Sequence, residues 1–253
     1  MKKWLVVAIL CAASSATAWA AAPVAAESVA AAKANLDLGI AYLQKGNLSA
    51  AKEKLERAKQ QAPRNTAIRS AVAFMYARMG ETSRADGEFR EALRMVPRDP
   101  ELMNNYAVFL CGHDRSAEGV LLFQQAAASP TYSTPWAALT NAGVCLRNAK
   151  RYAEAEIQFN KALAIKPAHA EAIYQLADMD LAQKNTAAAY QRVARYVAGN
   201  IPTPELLYLG WRAATELQDK VNALKLARRL QVEFPNSEQT KVLLAGGNGG
   251  KSG

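Results

Sequence analysis

Two histidines, three cysteines and 8% aromatic residues leave a chain of 253 residues with little of the usual equipment of catalysis or metal binding. The motifs that carry such chemistry are missing too: no Walker phosphate loop, no G-x-G-x-x-G, no H-E-x-x-H and no G-x-S-x-G occurs. Cys111, Gly112, His113 and Asp114 put metal-ligand types within one turn, but the second pair that a zinc site needs does not follow. His169 stands just after Pro167, where a surface turn residue is the simpler reading. No catalytic residue, metal or cofactor is therefore expected, and the chain does not read as an enzyme. The formal charge is +9, yet Arg64, Arg69, Arg78, Arg84, Arg90 and Arg94 are scattered without interleaved aromatics, so nucleic acid is not the expected partner.

Long apolar runs are also missing, and nothing beyond the N-terminus approaches the roughly 20 apolar residues that cross a bilayer. At the N-terminus, Lys2 and Lys3 precede an apolar run from Trp4 to Ala13, which is followed by the small-residue sequence Ala18, Trp19, Ala20. That order is a secretory signal peptide, expected over residues 1–22. Its removal lowers the charge to +7, because Lys2 and Lys3 are the only charged residues in it. Cys11 is preceded by Leu10, where a lipoprotein signal wants a small residue, so ordinary cleavage near Ala20 to Ala22 is favoured over lipid attachment. An Ala-rich flexible leader is expected over 23–32.

What is present is a period. Gly39, Ala73, Ala107, Gly143, Ala177 and Trp211 are spaced by 34, 34, 36, 34 and 34 residues. Twelve residues after each comes a small residue: Ala51, Ala85, Gly119, Ala155, Ala189 and Ala223. Four further on come Leu55, Phe89, Phe123, Phe159, Val193 and Ala227, and four units end on Pro63, Pro97, Pro167 or Pro235. This is the tetratricopeptide signature, a helix-turn-helix unit that buries its apolar face only by stacking on neighbours. The expected fold is all-α, a right-handed superhelical solenoid of six tetratricopeptide repeats over residues 33–238, with a flexible tail over 239–253. Asp99-Pro100, Thr134-Pro135 and Thr203-Pro204 read as an N-cap followed by proline at the first helical position. Gly46 and Gly80 occupy matching turns where a left-handed backbone is often required. The two extra residues before Gly143 fall in the Pro-flanked loop from Ser129 to Pro135.

Cys111 and Cys145 are 34 residues apart, late in the first helices of units three and four. In an oxidising compartment they can staple those units with a disulfide, and the alternative is two small buried thiols. The first helices should also line the binding groove. Leu36, Ile40, Leu43, Ser70, Phe74, Asn104, Val108, Val144 and Tyr174 are its candidate residues. One residue beyond each anchor the strip is apolar through the first four units, at Ile40, Phe74, Val108 and Val144, before Asp178 and Arg212 change its character. Each has a second reading, burial between helices, because a solenoid helix has two buried sides.

The stretch Asn104-Asn105-Tyr106-Ala107-Val108-Phe109-Leu110-Cys111-Gly112, then Pro130-Thr131-Tyr132 and Asn141-Ala142-Gly143-Val144-Cys145, resembles the type IV pilus biogenesis proteins of the PilF/PilW family. The resemblance covers the whole repeat array. It implies a periplasm-facing, non-enzymatic pilotin that binds the outer-membrane secretin of the type IV pilus and promotes its localisation and multimerisation. Other pilus assembly proteins are further possible partners, and association with the outer membrane would come through lipidation or through the partner. It also implies pairing of Cys111 with Cys145. The alternative is a general periplasmic scaffold for another envelope assembly process, outer-membrane protein insertion or cytochrome maturation.

Overall fold

Repeat by repeat, the chain becomes a pair of antiparallel helices. The computed structural model describes residues 21–248; the signal peptide expected over 1–22, apart from Ala21 and Ala22, and Cys11 within it lie outside them. Among the described residues there are thirteen helices and no strand, an all-α repeat solenoid. The residues to Met95 form one compact unit and those from Val96 another. The first holds α1 (Ala21–Gln44), α2 (Leu48–Gln61), α3 (Thr66–Arg78) and α4 (Thr82–Met95), two repeats. The second holds four more: α5 (Pro100–Cys111) with α6 (Ser116–Ala127), α7 (Pro135–Asn148) with α8 (Tyr152–Ile165), α9 (Ala170–Ala182) with α10 (Thr186–Gly199), and α11 (Pro204–Glu216) with α12 (Lys220–Glu233). A last helix, α13 (Glu238–Asn248), follows them.

Within the second unit, first helices pack against first helices from repeat to repeat, whereas the backbones of α6, α8, α10 and α12 lie farther apart, α12 reaching α10 through Arg229, which donates to the Val197 carbonyl at 3.2 Å. The first helices are therefore the inner layer of that unit's curve and the second helices the outer. In the first unit α1 likewise packs against α3, while α2 and α4 are linked by a side-chain ion pair rather than by close backbone approach.

The period has a steric basis. A methyl group on Gly39 would lie 2.5 Å from Leu55 Cγ, and one on Gly143 2.5 Å from the Phe159 ring. The anchor is small so that the bulky residue sixteen positions later can sit against the backbone of the partner helix. Leu55, Phe89, Phe123 and Phe159 are accordingly among the most completely buried side chains, each worth about 2–3 kcal/mol of burial. The sixth repeat departs from this scheme. Trp211 and Ala227 are only half-buried, and Gly210 makes the close approach, where a methyl group would meet Val193 at 2.8 Å and Leu226 at 3.3 Å. The indole is too large for the anchor position, so the helix pair closes one residue earlier.

Turn chemistry repeats as regularly. Gly46 and Gly80 have φ of +75° and +79°, and the matching Asp114, Lys150, Lys184 and Gln218 also have positive φ, between 58° and 65°. All six turns need the left-handed conformation, and four take it without glycine. Asp99 and Thr203 cap their helices as expected, their side chains accepting from the backbone N–H of Leu102 and Leu206. Thr134 does not cap α7; its hydroxyl bonds to the Tyr132 side chain instead. The inserted loop does more than absorb length, because Tyr132 turns inward and joins the core around Phe123, Phe159 and Leu139.

Both ends differ from the sequence expectation. The stretch 23–32 is part of α1 rather than a flexible leader, with Ala32 buried and the Ser28 hydroxyl donating to the Gln61 carbonyl of α2. Its run of alanines is helix-forming, and α2 gives it a surface to lie on. The tail expected from 239 is instead mostly α13, whose Leu243 packs with Leu207, Leu226 and Leu230. A final repeat exposes an apolar face, and a terminal helix with one apolar side covers it. Thr240 anchors the junction, its hydroxyl donating 2.7 Å to the Phe234 carbonyl.

Candidate functional site

The first helices of each unit carry the candidate binding residues. In the first unit, Ile40 is 37% exposed on α1 and its counterpart Phe74 is half-buried on α3. Phe74 meets Phe89 edge to face at 5.3 Å, so the ring is held in place while part of it stays open. Leu36 and Leu43 are half-buried beside Ile40 on α1. Ser70 is not part of an open groove. It is 4% exposed, because a small residue three positions before the anchor lets the neighbouring helix close over it. The spacing had not marked Leu38, which is open although its counterparts Val72, Ala142 and Leu176 are buried. Among the described residues no earlier helix covers α1.

A polar network fastens this unit. Lys59 on α2 bridges Glu56 at 3.0 Å and Glu88 of α4 at 2.9 Å, and Arg69 of α3 reaches Glu88 at 2.6 Å. The Tyr76 hydroxyl donates to Glu56 at 2.6 Å. Burial by itself would raise the Glu56 carboxyl, but the Tyr76 and Lys59 bonds outweigh it and hold the group below its ordinary value. Burial and the Glu56 carboxylate together raise Tyr76.

In the second unit, the structure brings Val108, Val144, Cys111 and Cys145 to one cavity of about 250 Å³. The two cysteines are disulfide-bonded with their Cα atoms 5.6 Å apart, joining the end of α5 to α7. Gly119 has a purpose here beyond that of the matching alanines. A methyl group on it would stand 2.5 Å from Cys111 Sγ and 2.9 Å from the Ala107 carbonyl oxygen. Asn141 and Asn148 give the cavity a polar edge, and the Asn141 amide donates to the Asn104 side-chain oxygen at 3.2 Å. Val108 is 42% exposed and Val144 half-buried, so the surface offers apolar contact beside amide donors and acceptors.

Tyr174 is not in that cavity. It lines a separate one of about 230 Å³ with Tyr208, Glu205, Arg212 and Gln239, and burial, then Asp178, raises its hydroxyl. Asp178 itself is paired with Arg147 at 2.7 Å, and Arg147 also bonds Gln175. Sequence offsets alone could not reveal that pairing across α7 and α9. His113 is spent on its own helix, its Nδ1 lying 2.8 Å from the Phe109 carbonyl oxygen and its ring against Phe109. Burial and Lys166 lower the His169 pKa. Among the described residues no three His, Cys, Asp or Glu side chains gather in a way that could hold a metal ion.

Comparison with known proteins places this surface in context. Tetratricopeptide repeat models match residues 32–65 and 136–169. The type IV pilus assembly protein PilF of Pseudomonas aeruginosa is 27% identical over 204 residues, covering 81% of this chain and 81% of that protein. The chain is a tetratricopeptide-repeat homologue of PilF. The crystal structure of PilW, a widely conserved type IV pilus biogenesis factor, superposes with a TM-score of 0.64 and 29% identity, over 84% of this chain and 98% of that one. The solved structure of P. aeruginosa PilF gives a TM-score of 0.63 at 26% identity, over 87% and 99% of the two chains. Yeast Tom70 reaches a TM-score of 0.61 at 21% identity over 79% of this chain and 43% of its own, a likeness of fold alone.

Proposed function

We propose that this PilF homologue is a non-enzymatic pilotin of the type IV pilus. It works in the periplasm, binding a segment of the outer-membrane secretin on its first-helix surface and promoting secretin localisation and assembly into multimers. The observation that carries this reading is the combination of similarity to PilF and PilW over more than four-fifths of the chain with accessible aliphatic and aromatic positions on the first helices. Ile40 and Phe74 in the first unit, and Val108 and Val144 in the second, offer shallow apolar contact suited to an extended or helical segment. Holding that segment would shield a subunit with unpaired strand edges until it enters the ring. No described helix is long and apolar enough to cross a membrane. Outer-membrane association then comes through a lipid on the processed N-terminus or through the secretin itself.

Deletion of the gene tests this role. Heat-resistant secretin multimers and surface pili should disappear and return with the intact gene. Multimers that persist unchanged would exclude the pilotin role, and co-purification of a different envelope machine in their place would identify a general periplasmic scaffold.

A further inference from the structure

The outer face of α12 is unlike that of any other second helix in the chain. Val221, Leu224 and Val232 are 77%, 71% and 72% exposed, and with the stem of Arg228 they recur at helical spacing on the side opposite the buried Leu226 and Leu230. Leu121 on α6 stands alone, and the three exposed apolar residues of α8, Tyr152, Ile157 and Ile165, are spread around the helix rather than gathered on one face. A stripe of three is different. The repeat supplies an internal control: the positions matching Val221 hold Ser49, Ser83, Ala117, Ala153 and Ala187. Those matching Val232 hold Gln60, Arg94 and three alanines. Only the last repeat presents large aliphatics at these offsets. The terminal helix α13 does not shield them, since its Leu243 packs on the opposite, buried side of α12.

Charge decides what fits this stripe. α12 carries Lys220, Lys225, Arg228 and Arg229 against the single acid Glu233, and Arg229 is already paired with Glu233 at 2.7 Å. Lys220 and Lys225 flank the stripe on its two sides, and Arg228 lies within it. A second copy of the chain placed face to face would bring these cations together. The stripe is also a ridge on one helix, without a second described element to form the facing wall of a groove for a partner helix. Aliphatic side chains protruding between cations match the boundary of an anionic bilayer, where apolar insertion and attraction to lipid phosphates act together.

We propose that α12 is a membrane-docking face that rests the second unit on an anionic lipid surface. This is a peripheral contact, separate from any lipid on the N-terminus and independent of which protein the first helices hold.

Vesicle flotation tests it. The exported, processed chain, shown by mass to carry no lipid, is mixed with vesicles of phosphatidylethanolamine alone or with phosphatidylglycerol added. It should float with the anionic vesicles, bind the others weakly and be released by salt. V221E combined with V232E alters two exposed side chains, so circular dichroism should be unchanged while binding falls at least about tenfold; L121E, on α6, should leave binding intact. The proposal is overturned if the native chain ignores anionic vesicles, if the double variant binds as well as the native chain, or if L121E weakens binding equally. Loss of secretin binding by a double variant of a chain that never floats would assign the stripe to a protein partner, and would overturn it too.

Discussion

The first two repeats are fastened to each other by charge, whereas the third and fourth are fastened by a covalent bond and a buried tyrosine. Between α2 and the α3–α4 pair, Glu56, Lys59, Arg69, Tyr76 and Glu88 form a chain of short polar contacts near the surface. Between α5 and α7, Cys111 and Cys145 are joined, and the two-residue insertion places Tyr132 in the core beneath them. The repeat supplies the same small-against-large packing in both places and leaves each junction free to be reinforced differently. A polar network responds to pH and salt. A disulfide responds to redox conditions, which suits the compartment that the proposed function requires.

The largest expected effect comes from breaking the covalent fastening. Reduction, or Cys111→Ser with Cys145→Ser, should destabilise the second unit by about 4 kcal/mol on the loop-closure estimate for a 34-residue separation. Trp136 and Trp211 are the tryptophans of the described residues, and both lie in that unit, so their fluorescence reports its unfolding. Hydrogen exchange in α2 and α3 should hardly change. An equal loss of protection there would break the contrast between the two fastenings.

A smaller effect should come from the polar side. Tyr76→Phe removes the hydroxyl donated to Glu56 and should cost about 1 kcal/mol, seen as faster exchange in α2 and α3. The pH dependence has a definite sign. Glu56 has a folded-state pKa below its ordinary 4.5, so its contribution is present above that value and is lost as pH falls through the lowered one. Acidification below about pH 4.5 should therefore weaken the first unit more in the native chain than in the Tyr76→Phe variant. The same acid loss in both would show that the network does not act through Glu56.

The smallest effect is a gain. Lys150 holds a left-handed turn at φ 61° that Gly46 and Gly80 hold without a Cβ. Lys150→Gly should raise stability by about 0.5 kcal/mol, read as a higher denaturation midpoint by Trp136 and Trp211 fluorescence. A loss would mean that the lysine side chain contributes more than its backbone costs.

Much of this fold was legible because stacking is local. Anchors, the bulky residues sixteen positions on, and the prolines all follow from one helix pair meeting the next. The left-handed turns at Asp114, Lys150, Lys184 and Gln218 carry no residue signature, although the constant offset from Gly46 and Gly80 points to them. Gly210 displaced Trp211 because an indole does not fit where a glycine had served. α13 and the start of α1 read as flexible since composition records alanine and glycine but not the neighbouring surface that orders them. The candidate site was less legible. Ile40, Val108 and Val144 came from one offset, but that offset also marks positions that neighbouring helices cover, and the spacing of Ser70 did not distinguish an open face from a closed one. The partnership of Asn104 with Asn141 and of Arg147 with Asp178 depends on how adjacent first helices lie, which no periodicity records.

Site-specific photocrosslinking in cells tests the central claim most directly. A photoreactive residue at Ile40, with others at Phe74 and Val108 and a control at Leu121, should give an adduct whose mass spectrum contains secretin peptides from the first three positions and not from the control. Adducts at all four positions alike, or none containing secretin from Ile40, Phe74 or Val108, would contradict a secretin segment held on the first-helix surface.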